Sequence, residues 1–330
     1  MNAKLYLLWV IVLLLVGLAA TPTVGAGEQA KSRFSPPATL HLLPRYTLLD
    51  AMQPVLSDNG RYILYEYASF PHHYPAPHLR YYDTQTGALT DLLTTHEGPY
   101  RRGAMPQLSP DGRFSTFVSC YRDFPEGESD SCPHAYRHDH RSGDTVLLSQ
   151  STARVLADAP TYFPSLTADG NWIVFASEAT NLVADDGNGA SDIFLRDVAA
   201  GMTTRVSVGM NGTEANGGSY RPTITDNGRF IVFESDASNL VAGDTNSNCI
   251  NGATTIGMTC RDVFVYEVAT ATLERVSVAT GGVEGNGTSF AASISEDGSL
   301  VMFSSSSINL VVGDTNGNAP LCNPPTTHYT

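Results

Sequence analysis

Positive charge is scarce. The 330-residue chain has 19 Lys and Arg against 33 Asp and Glu, a formal charge of −14 at neutral pH. A nucleic-acid binder needs clustered cations to displace counterions from phosphates, and an anionic membrane surface makes the same demand, so both are excluded as partners. Charge of either sign reaches only 16% while 42% of the residues are hydrophobic. That is too little charge for a disordered chain and enough apolar material for a folded core. After the first residues no segment has a helical period, which removes the helical fold classes. The five cysteines, at 120, 132, 249, 260 and 322, form no Cys-x-x-Cys pair and no Cys/His zinc spacing. No G-x-S-x-G nucleophile elbow is present, so serine hydrolases built on that elbow are excluded. The S-x-D-x-G-x-T-W turns of sialidases are missing too.

The N-terminus places Lys4 before an unbroken apolar run from Leu5 to Ala20, followed by small residues ending at Ala26. This reads as a secretory signal peptide over 1–26, since the run falls short of the roughly 20 residues that span a bilayer. No Cys follows it, which closes the lipoprotein route. The expected product is secreted or periplasmic, has a linker over 27–44, and does not insert in a membrane after cleavage. In an oxidising compartment, disulfides are the first reading of the cysteines. Cys120 with Cys132 and Cys249 with Cys260 are close in sequence and each pair brackets one loop, so both are expected to be bridged.

Five segments align: PVLSDNGRYILYEY from Pro54, PQLSPDGRFSTFVS from Pro106, PSLTADGNWIVFAS from Pro164, PTITDNGRFIVFES from Pro222 and ASISEDGSLVMFSS from Ala292. Asp-Gly or Asn-Gly between two apolar runs is the strongest short hairpin signal, because a tight turn between twisted strands needs positive φ. Tyr62, Phe114, Trp172, Phe230 and Leu300 share one column; Tyr65, Phe117, Phe175, Phe233 and Phe303 share another, three residues on. An odd offset puts the two columns on opposite faces of a strand, so both faces are expected to be buried between stacked sheets. A third run follows in four repeats, from His78, His134, Asp192 and Asp262, and a fourth closes the unit, as in TTRVSV from Thr203 and LERVSV from Leu273. Four short strands per unit, repeated, describe an all-β fold, a β-propeller of about five four-stranded blades over 45–330. In the fifth repeat Asp314-Thr315-Asn316 leads to Cys322 and the chain closes at Thr330. The last blade is therefore expected to be incomplete, with the partner of Cys322 lying beyond it.

The S-P-D-G-R-F turn of repeat two and its relatives, followed by F-x-S, N-L-V, D-x-F and R-V-S, resemble TolB-like propeller repeats. The likeness is greatest to exported bacterial propellers whose repeats carry N-L-V-x-x-D-T-N before D-x-F-V-x-D, here Asn239 to Asn246 and Asp262 to Glu267. Repeats one and two lack N-L-V and D-T-N. The resemblance implies a fold; its members have unrelated activities. Some TolB-like propellers that cleave pectic oligosaccharides use histidines and a divalent metal. On that resemblance His78, His134, His138 and His140 are the candidate catalytic residues of a metal-dependent polysaccharide-degrading enzyme. Packing histidines are the alternative.

Asp186-x-Asn188-x-x-x-Asp192, Asp244-x-Asn246-x-Asn248 and Asp314-x-Asn316-x-Asn318 alternate oxygen-bearing side chains as the first positions of an EF-hand loop do, and they are candidates for structural Ca²⁺. Asp and Asn as turn formers bonding their own backbone are the other reading. Glu214-x-Asn216 with Ser219, and Glu284-x-Asn286 with Ser289, recur in two blades and read as loop-shaping. The column Asp83, Asp139, Asp197 and Glu267, which precedes a turn, reads the same way. The expected function is non-catalytic: a secreted scaffold presenting loops to a protein or glycan partner.

Overall fold

The computed structural model describes residues 49–69, 77–93, 105–120, 133–245 and 260–313. The chain divides into two compact units, Met1–Arg101 and Arg102–Thr330. The first holds one antiparallel meander: β1 (Leu49–Leu56), β2 (Tyr62–Ser69), β3 (Pro77–Asp83) and β4 (Leu89–Leu93). The second holds three more four-stranded meanders. They are β5 (Gln107–Leu108) to β6 (Phe114–Ser119), β7 (His134–Asp139) and β8 (Thr145–Leu147); β9 (Thr161–Leu166) to β10 (Trp172–Ser177), β11 (Asp192–Asp197) and β12 (Met202–Arg205); and β13 (Ser219–Ile224) to β14 (Phe230–Ser235), β15 (Asp262–Glu267) and β16 (Thr272–Arg275). A fifth sheet has two strands, β17 (Ser289–Ile294) and β18 (Val301–Ser305). These are propeller blades. Within the second unit β5, β9, β13 and β17 touch in series, as the innermost strands of successive blades do.

The repeated turn explains why each blade starts as it does. The hydroxyl of Ser57, Ser109, Thr167, Thr225 or Ser295 donates to the side chain of Asn59, Asp111, Asp169, Asn227 or Asp297 at 2.6–2.8 Å. That hydroxyl oxygen accepts the amide of the first residue after the turn, Tyr62, Phe114, Trp172, Phe230 or Leu300. The glycine between them sits at φ near +70°, which an L side chain rarely adopts. Gly170 has a second constraint, because a Cβ there would lie 2.5 Å from Cγ of Phe114 in the preceding blade. Gly298 meets Phe230 in the same way.

The core lies between blades. Phe114, Val118, Ala135 and Leu148 of the second blade pack on Leu166, Ile173, Phe175 and Phe194 of the third. Val174, Ile193, Leu195 and Val206 on the other face of the third blade pack on Ile224, Ile231, Phe233 and Phe264 of the fourth. The expectation that both aromatic columns are covered holds for these blades; at the fifth Phe303 is half-buried but Leu300 of the other column is 72% exposed, as is Met302 on the same face. Among the described residues no following sheet covers that face, and β18 pairs with β17 alone.

Candidate functional site

The two ends of the second unit are built differently. At one end lie the hairpin turns, secured by Arg113 on Asp139 at 2.8 Å and Arg229 on Glu267 at 3.0 Å. This pairing, with Arg61 on Asp83 in the first unit, gives the acidic column before the turn its purpose. The guanidinium of Arg113 holds Asp139 down at about 2. In the third blade Asn171 replaces the arginine, and Asp197 accepts the amide of Ala200 instead.

At the other end each inter-blade connection is tied down. The side chain of Asn239 in N-L-V accepts the Asn216 amide at 3.0 Å and donates to the Glu214 carbonyl at 2.7 Å, while Asn216 accepts the Ser238 amide at 2.8 Å. Asn309 and Asn286 repeat this lock, as do Asn181 and Asp158. Ser219 bonds Ser235 at 2.9 Å and Ser289 bonds Ser305 at 3.0 Å, joining inner and second strands. Asn216, Asn286 and the two serines thus shape loops.

Glu214 and Glu284 belong to something more. Arg205 Nη1 lies 3.0 Å from Glu214, 3.5 Å from Asp192 and 3.7 Å from Asp186. Arg275 Nη1 lies 2.6 Å from Glu284, 3.3 Å from Asp244 and 3.5 Å from Asp262. Each clasp joins the loop after the second strand, the start of the third, the end of the fourth and the loop entering the next blade. Its formal charge is −2. Burial, then repulsion from Asp192, raises Asp186 to about 6; burial, then Asp262, raises Asp244 to about 7. Burial opposes ionisation of Glu214 and Glu284 as well, but backbone amides and the arginine hold both below the usual carboxylate range. Asp192 and Asp262 accept the hydroxyls of Ser207 and Ser277 at 2.5 Å.

The candidate cation ligands are therefore only partly brought together. Asp186, Asp192 and Glu214, and Asp244, Asp262 and Glu284, are the groups of three whose donor atoms converge among the described residues. In the first of the three loops the alternating pattern itself does not converge. Asn188 turns its oxygen to the Ala190 amide and presents its NH₂ to Asp192 and to the Ala215 carbonyl. In each group the guanidinium lies against the three carboxylates that a cation would use. Asn246, Asn248, Asp314, Asn316 and Asn318 lie outside the described residues.

The three candidate histidines of the second unit do not assemble into one site. His134 and His138 are four residues apart on β7, about 13 Å along a strand, and His140 is farther still. The rings of His138 and His140 meet at 4.9 Å, His138 bonds Thr145 at 2.9 Å and His140 bonds Ser115 at 3.1 Å. His134 is buried with neither ring nitrogen bonded, and burial lowers its pKa to about 4. It occupies the column of Asp192. Of the other columns of the clasp, Leu147 stands for Arg205 and Leu156 for Glu214, so the second blade lacks both the arginine and that glutamate, while the counterpart of Asp186 lies outside the described residues. His78 lies in β3. Cys120 and Cys260 are disulfide-bonded; Cys132, Cys249 and Cys322 lie outside the described residues.

No protein-family model matches the chain, and no curated protein does. Among solved structures it is similar to a putative TolB from Agrobacterium tumefaciens, with 17% identity, a TM-score of 0.45 and coverage of 78% of this chain and 70% of that one. TolB from Acinetobacter baumannii gives 16%, 0.42, 78% and 54%. The β-propeller domain of the Trilobed protease from Pyrococcus furiosus gives 10%, 0.42, 69% and 57%. The likeness is one of fold. The chain spans little more than half the length of the last two, and at these identities nothing about activity carries over. No helix among the described residues is long and apolar enough to cross a membrane.

Proposed function

We propose that the protein is an exported, non-catalytic β-propeller that binds a protein partner through the end carrying the clasps. One observation carries this reading. The three described connections between consecutive blades, all in the second unit, form matching small hairpins, Ser151 to Val155, Gly209 to Thr213 and Ala279 to Val283, each closed by a backbone hydrogen bond of 2.7–2.8 Å. Each displays one aliphatic side chain: Val155 is 51% exposed, Met210 45% and Val283 59%. Single exposed apolar residues are ordinary, but their recurrence on one end, on loops held by asparagine locks and arginine clasps, describes a preorganised docking face. Exposed Asp158, Glu178 and Asp185 share that end. A partner with apolar sockets flanked by Lys or Arg complements such a face. Disulfides Cys120–Cys132 and Cys249–Cys260 would brace loops of the same end.

The test is affinity capture from the native envelope or medium with immobilised protein, in parallel with a V155S/M210S/V283S variant. A partner retained by wild type and lost by the variant supports the reading. A partner retained equally by both contradicts it.

A further inference from the structure

An asparagine followed by glycine can lose its side-chain amide to attack by the glycine's own backbone nitrogen, because no Cβ hinders the approach. The described residues hold six such pairs: Asn59-Gly60, Asn188-Gly189, Asn211-Gly212, Asn216-Gly217, Asn227-Gly228 and Asn286-Gly287. The fold ties down five of these side chains. Asn59 and Asn227 each accept a turn hydroxyl and a backbone amide, and Asn188 accepts the Ala190 amide. Asn216 and Asn286 accept the amides of Ser238 and Ile308 in the asparagine locks. Gly217 and Gly287 are also pressed against backbone, where a Cβ would lie 2.8 Å from Asp236 and from Ser306.

Asn211 differs in each respect. It is exposed on a loop tip, and its side chain makes no hydrogen bond. Its backbone sits at φ 61°, ψ 23°, the left-handed region that few residues with side chains adopt. Nothing lies within 4 Å of where a Cβ on Gly212 would stand, so the pair has room to cyclise. The bonds that hold the tip are long: Gly212 donates to the Gly209 carbonyl at 3.1 Å and Thr213 to the Met210 carbonyl at 3.4 Å, against 2.8 Å for Gly60 and Gly228 in the hairpin turns.

We propose that Asn211 is a site of spontaneous deamidation and backbone isomerisation. The Gly212 nitrogen bonds to the side-chain carbonyl carbon of Asn211 and gives up its proton, and the side-chain nitrogen leaves as ammonia, closing a cyclic imide. Water then opens the imide at either carbonyl, to Asp or to isoaspartate. Carboxamide and water become carboxylic acid and ammonia, with no change of oxidation state. Either product sets a carboxylate beside Met210, and isoaspartate also adds a methylene to the backbone of the Gly209–Thr213 hairpin. The reaction does not depend on whether this end of the molecule binds a partner.

The experiment ages the folded full-length chain in mildly alkaline water enriched in heavy oxygen, beside a sample in denaturing urea. Both are digested with pepsin at acid pH, and the Asn, Asp and isoaspartate peptides are separated and weighed. In the folded chain Asn211 should disappear roughly tenfold faster than the five tied asparagines, the factor that one or two side-chain hydrogen bonds impose on a rate. Isoaspartate and Asp should both form at 211 and carry heavy oxygen, and in urea the six sites should react at similar rates. An Asn211 that lasts as long as the tied asparagines, Asp at 211 without isoaspartate, or a preference for 211 that persists in urea overturns the proposal.

Discussion

Replacing Arg205 by Met removes a cation from the middle of three carboxylates and leaves a side chain of similar length. Each contact at 3.0–3.7 Å has a Coulomb energy of about 5 kcal/mol at an effective dielectric of about 20. The carboxylates, whose oxygens lie within 4.8 Å of one another, repel by about 3.5 kcal/mol per pair on the same scale. The variant does not incur the full sum, because the acids take up protons instead. The expected loss at pH 8 is about 3–5 kcal/mol, the usual consequence of removing one partner of a buried ion pair. In a unit of this size that lowers Tm by roughly 10 °C or more. The pH dependence identifies the cause. A carboxyl whose folded pKa is raised contributes stability that is complete below its unfolded value near 4 and is lost as pH rises through the folded value. Asp186, at about 6 in the wild type, moves higher without Arg205, so the penalty shrinks between pH 8 and pH 5. Thermal unfolding of wild type and R205M at both pH values is the assay. A loss under about 1 kcal/mol, or one equal at the two pH values, would refute the clasp as an electrostatic device.

Ca²⁺ in millimolar amounts should leave the wild-type Tm unchanged and raise that of R205Q, whose freed carboxylates can accept a cation; a wild-type shift abolished by chelator would show that the guanidinium yields to calcium. His134 is held at about 4, below the ordinary imidazole value, by burial, so it costs stability as pH falls from about 6.5 toward 4. H134L should lessen acid destabilisation in that window, opposite in sign to the clasp effect, and unchanged acid melting curves would contradict this. Gly170→Ala combines a Cβ at φ +64° with a 2.5 Å approach to Phe114 and should cost about 3 kcal/mol. Equilibrium denaturation within about 0.5 kcal/mol of wild type would show the blade contact to be looser than described.

The fold was legible in the sequence because each blade restates one physical pattern. Ser or Thr, Asp or Asn, Gly and an aromatic residue at fixed offsets specify the turn, and Phe175 or Phe233 three residues on specifies the buried face. The clasps were less legible. Asp186, Asp192, Arg205 and Glu214 come from four segments spread over 29 positions, and nothing in the Asp-x-Asn spacing reveals that Asn188 turns its oxygen to the backbone. A signal did exist. Arg in R-V-S, Glu before x-Asn and Asp at the start of the third strand occur together in the third and fourth blades, and in the second they give way together to Leu147, Leu156 and His134. Such joint replacement marks residues that share one electrostatic environment. The exposed tips could not be read from the sequence, since exposure depends on which sheet covers which.

Site-specific photo-cross-linking tests the docking face most directly. A photoreactive phenylalanine analogue is placed at Met210 on a loop tip or at Asn227 on the opposite end, and the protein is expressed in its native cells. The account predicts a discrete protein adduct from position 210 and none from position 227. Adducts from 227 alone, the same adducts from both, or none from either would contradict it.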